Sequence, residues 1–292
     1  MAQSGSLEGM SALITGGGGG IGAGSAKWLL QDGCSVTIMG RTESTLLDAQ
    51  KWLQDSVQDG AQLQIFAGDA TDEKSLVEAL EVARRPTGSL NICVPVVGGG
   101  TIKPLLMFDR ESFLKDVELN IMPTFLAIRY AAPMIAEAGG GSIVCISSDA
   151  AKIPWFYLSG YCTSKAGLEG LIRVAALELA SAGVRVNAVR PGLVDTNANR
   201  QAQTGAGEAN LFENQEVLNL FLAQKPLGRT GVPDDIGAGV RYLASPESSW
   251  VTGQSFAIEG GNELTRAPVL ESLARTMFGE GAIDSILAGK AP

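Results

Sequence analysis

A single α/β domain, with one parallel sheet of seven strands and helices on both faces, is the fold class that this chain of 292 residues predicts. Three observations predict it. Short apolar, β-branched runs recur seven times, as strands of a parallel sheet buried on both faces do. Longer segments with helical spacing lie between them, which implies right-handed crossovers. A glycine run, Thr15-Gly-Gly-Gly-Gly-Gly-Ile-Gly22, sits where the first strand ends and the first helix opens.

The strands are expected at Ser11–Thr15, Ser35–Met39, Leu63–Ala67, Leu90–Val97, Ser142–Ser147, Val184–Val189 and Ser255–Ile258. Helical spacing covers Ala23–Gln31, Thr42–Val57, Glu73–Arg84, Phe108–Glu137, Tyr157–Ser181 and Asp234–Ala244. No internal repeat or long linker divides the chain, so residues 1–292 read as one domain. Two segments stand outside the alternation. Residues 197–222, polar and then apolar, follow a strand and read as a lid over a site. The tail, 262–292, forms an extension in which Pro268–Phe278 has helical spacing.

Composition narrows the function. The formal charge is −9 and no run of Lys or Arg is present, which argues against nucleic acid and anionic membranes as partners. No uncharged apolar run reaches membrane-spanning length and no leader is evident, so a soluble cytoplasmic protein is expected. The four cysteines, Cys34, Cys93, Cys145 and Cys162, lack CxxC spacing and read as reduced thiols, with no metal site. Histidine is absent, so acid and base chemistry falls to Tyr, Lys, Cys or a carboxylate.

The glycine run occupies the strand-to-helix position at which a backbone turns tightly and approaches a dinucleotide phosphate. Its register is open from glycine alone: G-x-G-x-x-G fits Gly17, Gly19 and Gly22, and T-G-x-x-x-G-x-G fits Thr15, Gly16, Gly20 and Gly22. Among the four tyrosines only Tyr161 has a lysine, Lys165, four residues later on the same helix face. A nearby ammonium favours the phenolate and is expected to lower the phenol pKa toward a useful value. Ser148 ends the fifth strand at the carboxyl edge, where open α/β sheets place ligands, and offers a hydroxyl to a substrate oxygen.

These residues resemble the short-chain dehydrogenase/reductase family over about residues 9–261. The shared pattern comprises Thr15-Gly-x-x-x-Gly20-x-Gly22, Gly68-Asp69-Ala70-Thr71, Asn120, Ser148, Tyr161-x-x-x-Lys165, Val186-Asn-Ala-Val-Arg-Pro-Gly192 with Thr196, Pro226–Ile236, Val251-Thr-Gly-Gln and Glu259-Gly-Gly261. The resemblance implies a doubly wound Rossmann-type domain and a nicotinamide cofactor. It implies that Tyr161 is the general acid or base, that Lys165 tunes it and holds the ribose, that Ser148 orients the substrate oxygen, and that Asn120 supports a proton-carrying water chain. It implies cofactor contacts at Gly16, Gly20, Ile21, Gly22, Arg41, Asp69, Ala70, Gly98, Tyr161, Lys165, Pro191, Gly192, Val194 and Thr196.

The chain departs from the family where Asn-Asn-Ala-Gly is usual and Pro95-Val96-Val97-Gly98 stands. Pro95 removes a backbone donor, so strand bonding should change there. Gly40 followed by Arg41, at the end of the second strand, suits the 2′-phosphate of NADP. Glu43 and the lack of a basic residue at Gly17–Gly19 leave NAD as the alternative. Ile153, Trp155, Phe156, Val97, Leu193, Leu211, Phe212 and Leu220 are expected around the substrate, favouring a hydrophobic carbonyl or secondary alcohol, steroid-like or otherwise cyclic. An acyl-carrier or CoA-linked 3-oxoacyl reductase and a nucleotide-binding regulatory protein without turnover are the alternatives. Relatives imply a homodimer or homotetramer.

Overall fold

The computed structural model describes residues 7–196, 215–265 and 270–291. Seven strands form one parallel sheet: β1 (Ser11–Thr15), β2 (Ser35–Gly40), β3 (Leu63–Ala67), β4 (Ile92–Val94), β5 (Gly141–Ile146), β6 (Val184–Pro191) and β7 (Ser255–Ile258). Their spatial order is β3-β2-β1-β4-β5-β6-β7. The order reverses between β1 and β4, and the carboxyl ends on either side of that switch point frame the site.

Helices cover both faces. On one side α3 (Glu73–Arg84), α4 (Arg110–Glu137) and α5 (Ser159–Leu179) bury Leu76, Leu80, Leu126, Ile128, Leu168 and Ile172 against the sheet. On the other, α1 (Gly20–Gln31), α2 (Glu43–Leu53) and α7 (Pro233–Ala244) bury Leu29, Leu30, Leu46, Leu53, Ile236 and Val240. Side-chain caps fix where two of these begin: Asp72 accepts from the Ser75 amide and Asp109 from the Ser112 amide, both at 2.7 Å. By length and composition α4 is apolar enough to cross a membrane, unlike the sequence expectation, but half of its apolar window is buried inside the domain.

Pro95 acts as its lack of a donor predicts. β4 stops at Val94, shorter than the expected Leu90–Val97. The Pro95 carbonyl still accepts from the Ile146 amide at 3.2 Å, and the Val96 amide turns to the Thr15 hydroxyl at 3.1 Å. The sheet therefore loses a rung and gains a side-chain clamp between its two central strands.

Beyond β6 come α6 (Gln215–Ala223) and α7, and beyond β7 the short helices α8 (Glu271–Phe278) and α9 (Glu280–Leu287). The spacing of Pro268–Phe278 located α8; α9 was not expected. Arg275 ties the pair together by pairing with Glu271 at 2.8 Å, Asp284 at 2.8 Å and Glu280. Most of the expected lid, including Leu211 and Phe212, lies outside the described residues.

Candidate active site

The glycine turn adopts the register of Gly16, Gly20 and Gly22. Gly16 and Gly20 have φ of +64° and +52°, and a Cβ on Gly22 would lie 2.2 Å from the Gly16 carbonyl oxygen. Gly17 is more than a filler, because a Cβ there would fall 2.6 Å from Cβ of Ile38 on β2. Helix α1 has no side-chain cap and no acidic residue in its first turn, so its amides and positive dipole end are left for an anion. Facing Gly20 is Thr196, whose buried Oγ1 has no hydrogen-bond partner among the described residues. An uncapped helix start with an orphaned hydroxyl beside it fits a dinucleotide: Gly16–Gly22 would hold the phosphates and Thr196 a polar group further along.

Tyr161 and Lys165 lie one turn apart on α5, with the Lys165 ammonium 5.6 Å from the centre of the Tyr161 ring. Lys165 is 3% exposed and donates to the Ile146 carbonyl at 3.1 Å. Burial draws its pKa down to about 8. Burial pushes the Tyr161 phenol up to about 12, with the Ser148 hydroxyl opposing the shift. The expected lowering of the phenol by Lys165 is therefore not met: desolvation dominates both groups, and the ammonium donates to the Ile146 carbonyl of β5.

Asn120 is fully buried in α4. Its Nδ2 donates to the carbonyls of Gly99 at 2.6 Å and Asp116 at 2.7 Å, and its Oδ1 accepts from the Gly99 amide at 3.1 Å. It thus clamps the loop after β4 over the reactive pair. A Cβ on Gly98 would lie 2.7 Å from Asn120 Oδ1 and 3.0 Å from Lys165 Nζ, and one on Gly100 would lie 2.7 Å from Tyr161 Cβ. Gly99 and Gly100 were missed because a loop glycine shows what it packs against only once the chain is folded.

The expected nucleotide contacts divide. Arg41 is exposed at the end of β2. Asp69 Oδ1 is taken by its own turn, accepting from the amide and the hydroxyl of Thr71, each at 2.8 Å; these bonds hold the carboxyl below its usual range, and the Arg41 charge adds to the effect. Ala70 and Val194 bury their side chains in the two cores, and Ile21 packs against one of them. Pro191 ends β6, and a Cβ on Gly192 would strike Glu259 Cβ at 2.8 Å and Lys225 Nζ at 2.9 Å.

At the substrate end Trp155 stacks on Phe221 of α6, with centroids 5.1 Å apart and planes 17° from parallel. Around them gather Tyr157, Leu193, Leu220, Leu270, Leu273 and Met277, a small apolar cluster separate from the two main cores. The tail thus packs its apolar side chains on the segment that precedes Tyr161. Two expected substrate neighbours lie elsewhere than in this cluster. Phe156 is 47% exposed and outside this cluster, in a turn where Tyr157, at a positive φ, takes the inward place. Val97 packs against a main core. Tyr157, which the sequence did not single out, takes the inward place at a φ of +66°, the one positive φ outside glycine among the described residues.

Beneath the cluster lies a polar network that was also missed. Ser148 accepts from the Ala150 amide at 3.1 Å and donates to Asp149 Oδ1 at 3.3 Å. Asn262 Nδ2 donates to Asp149 Oδ2 at 2.9 Å, and Lys225, just after α6, donates to the Glu259 carbonyl at 3.2 Å. Arg190 joins Glu169 at 3.4 Å and Glu263 at 2.8 Å. Asp149 adjoined a residue already chosen, but Asn262, which donates to its second oxygen, lies 113 residues away, and no sequence spacing marks it.

Comparisons with known proteins agree with this geometry. A family model described as enoyl-(acyl carrier protein) reductase matches residues 17–263. A cyclohexanol dehydrogenase from Acinetobacter sp. (strain SE19) is 32% identical over 250 residues, covering 85% of this chain and 93% of the relative. A short-chain type dehydrogenase/reductase from Mycobacterium ulcerans superposes with a TM-score of 0.87 at 32% identity, covering 95% of this chain and 98% of that one. A 7α-hydroxysteroid dehydrogenase complexed with NADH and 7-oxo glycochenodeoxycholic acid superposes with a TM-score of 0.79 at 30% identity, covering 89% and 97%. With the tyrosine, lysine, serine and asparagine of the motif gathered at the switch point of a parallel sheet, this chain belongs to the short-chain dehydrogenase/reductase family, as an oxidoreductase acting on CH–OH groups with a nicotinamide cofactor.

Proposed function

We infer that the chain interconverts hydrophobic cyclic secondary alcohols and ketones with NADP(H). The observation that carries the substrate class is the Trp155–Phe221 stack and its apolar surround at the site, with the cyclohexanol and hydroxysteroid relatives in support. The cofactor preference rests on Arg41: β2 ends in glycine followed by an exposed guanidinium, and Glu43, which opens α2, is the carboxylate that would instead pair ribose hydroxyls of NAD.

When bound, the nicotinamide supplies or accepts the hydride. Tyr161 moves the proton to or from the substrate oxygen. Lys165 places its ammonium 5.6 Å from the Tyr161 ring, where its positive charge favours the phenolate against the rise that burial causes. Ser148 binds the substrate oxygen, and Asn120 holds the Gly98–Gly100 loop over the pair. The description of the matching family model favours a second substrate class, acyl-carrier thioesters. The acidic chain, without a run of basic residues, makes an acidic carrier the poorer fit.

Titration with NADPH and NADH, followed by nicotinamide fluorescence, tests the cofactor. NADPH is expected to bind more tightly, and Arg41→Ala to weaken it about tenfold while leaving NADH unchanged. Preference for NADH that ignores Arg41 overturns the NADP assignment. Cyclohexanol and cyclohexanone are the first substrates to assay.

A further inference from the structure

The loop after β4 passes the reactive pair as three consecutive glycines. Gly98 closes on Lys165 and Gly100 on Tyr161, so neither position has room for a side chain, whereas a Cβ on Gly99 would meet only Leu119 Cδ2 at an ordinary 3.7 Å. None of the three has a left-handed φ, so close approach rather than turn geometry calls for glycine here. Glycine has the most backbone freedom to lose, and a run of it has no stiffness of its own. The place of this loop over Tyr161 is therefore imposed by its neighbours.

Asn120 bonds both backbone groups of Gly99, and further on the Lys103 amide donates to the Tyr157 carbonyl at 2.7 Å. Between these holds Thr101 is gripped by Asp116, one turn before Asn120 on α4. Asp116 Oδ2 accepts from the Thr101 amide at 3.1 Å and Oδ1 from the Thr101 hydroxyl at 2.8 Å. Asp116 is 3% exposed, and a carboxyl group so buried is costly unless its oxygens are bonded in this way. The same residue reaches the helix of the reactive pair. A Cβ on Gly160, the residue before Tyr161, would lie 2.7 Å from Asp116 Oδ2. The Asp116 carbonyl accepts from Asn120 Nδ2 at 2.7 Å and from the hydroxyl of Ser164, which precedes Lys165, at 3.2 Å.

We propose that Asp116 is a positioning residue which, with Thr101, forms a second clamp on the glycine loop and so fixes Tyr161 in its place for proton transfer. The proposal rests on Tyr161 as the proton carrier. Without the clamp, Gly100 no longer confines the tyrosine side chain, and fewer bound complexes have the phenol aligned.

Three variants of the full chain test it. Asp116→Val offers no acceptor, Asp116→Asn keeps both bonds with its oxygen on the Thr101 amide and its Nδ2 on the hydroxyl, and Thr101→Val loses the hydroxyl bond alone. Hydrogen exchange of the Thr101 amide is expected to quicken about tenfold in Asp116→Val, the size of one hydrogen bond, and to stay near the parent rate in Asp116→Asn. With cyclohexanol as substrate, kcat should fall about tenfold in Asp116→Val and about threefold in Thr101→Val, with KM within about twofold, and Asp116→Asn should restore it. Adding Gly99→Ala to Asp116→Val stiffens the released loop where a methyl fits and should recover kcat about threefold. A merely structural role would lower the melting temperature and leave kcat of the folded protein and the Gly99→Ala recovery unmoved. That pattern, or parent-like exchange in Asp116→Val, overturns the proposal. Tyr161→Phe separates the two failures: if it spares turnover, the role of Tyr161 falls and takes the proposal with it; if it abolishes turnover while kcat holds in Asp116→Val and Thr101→Val, only the proposal falls.

Discussion

The two ends of the site are built differently. The nucleotide end, Gly16–Gly22 with the ends of β1 and β2, comes from neighbouring segments, and its constraint is the absence of side chains: atoms of Gly16 and Ile38 occupy the space a Cβ would need. The substrate end joins segments from Ser148 to Met277 and is held by side chains, the aromatic stack above and the Asp149, Asn262 and Lys225 network below. Tyr161 and Lys165 lie between them. Backbone constraint close to the strand ends leaves a readable sequence pattern, whereas side-chain constraint across long separations does not.

Changes at the junction of the two ends should be the largest. Tyr161→Phe removes the only proton that the site places on the substrate oxygen, and turnover is expected to fall at least about a thousandfold while nicotinamide binding holds within twofold. Retained turnover in a steady-state assay would break the assignment of the proton carrier.

Lys165 sharpens the comparison because its position costs stability. Its pKa falls from 10.5 to about 8 on burial, so the unfolded chain binds more protons between those values and stability rises with pH from about 8 until Tyr161 begins to oppose it near 10. Lys165→Met should therefore abolish turnover and raise stability at pH 7 by on the order of 3 kcal/mol. Urea unfolding at pH 7 and pH 9.5 checks both the sign and the narrowing of the gain. A destabilised variant would show that the bond to the Ile146 carbonyl outweighs desolvation.

At the substrate end the expected effect is smaller and more selective. Phe221→Ala removes one face of the Trp155 stack and should raise the KM for cyclohexanol about tenfold. The global melting temperature should hardly move, because the small cluster is separate from the two cores that carry the fold. A lowered melting temperature with an unchanged KM would make the stack a structural prop with no part in substrate binding.

Much of this architecture was legible in advance. The bounds of β1, β3, β7 and α3 match their apolar runs, and β4 ends where Pro95 withdraws its donor. Tyr161, Lys165 and Ser148 were legible because helix period and strand ends fix where such residues emerge. The outward turn of Phe156 was not legible, because composition does not say which residues of an irregular segment face inward. Asn120 was legible as part of a motif, but its grip on Gly99 was not.

By itself, then, the chain determined the alternation of strand and helix, the place of a glycine turn after the first strand, and the face shared by the tyrosine and lysine. These follow from local periodicity and from backbone geometry that few residues satisfy. Only the tertiary structure decided that Leu270, Leu273 and Met277 of the tail pack with Trp155 and Phe221, that a side chain at Gly17 would meet Ile38 of β2, and that Asn262 bonds Asp149. Each of these depends on atoms that meet only when distant segments pack, and burial there moves the phenol and the ammonium in directions that their spacing alone did not foretell.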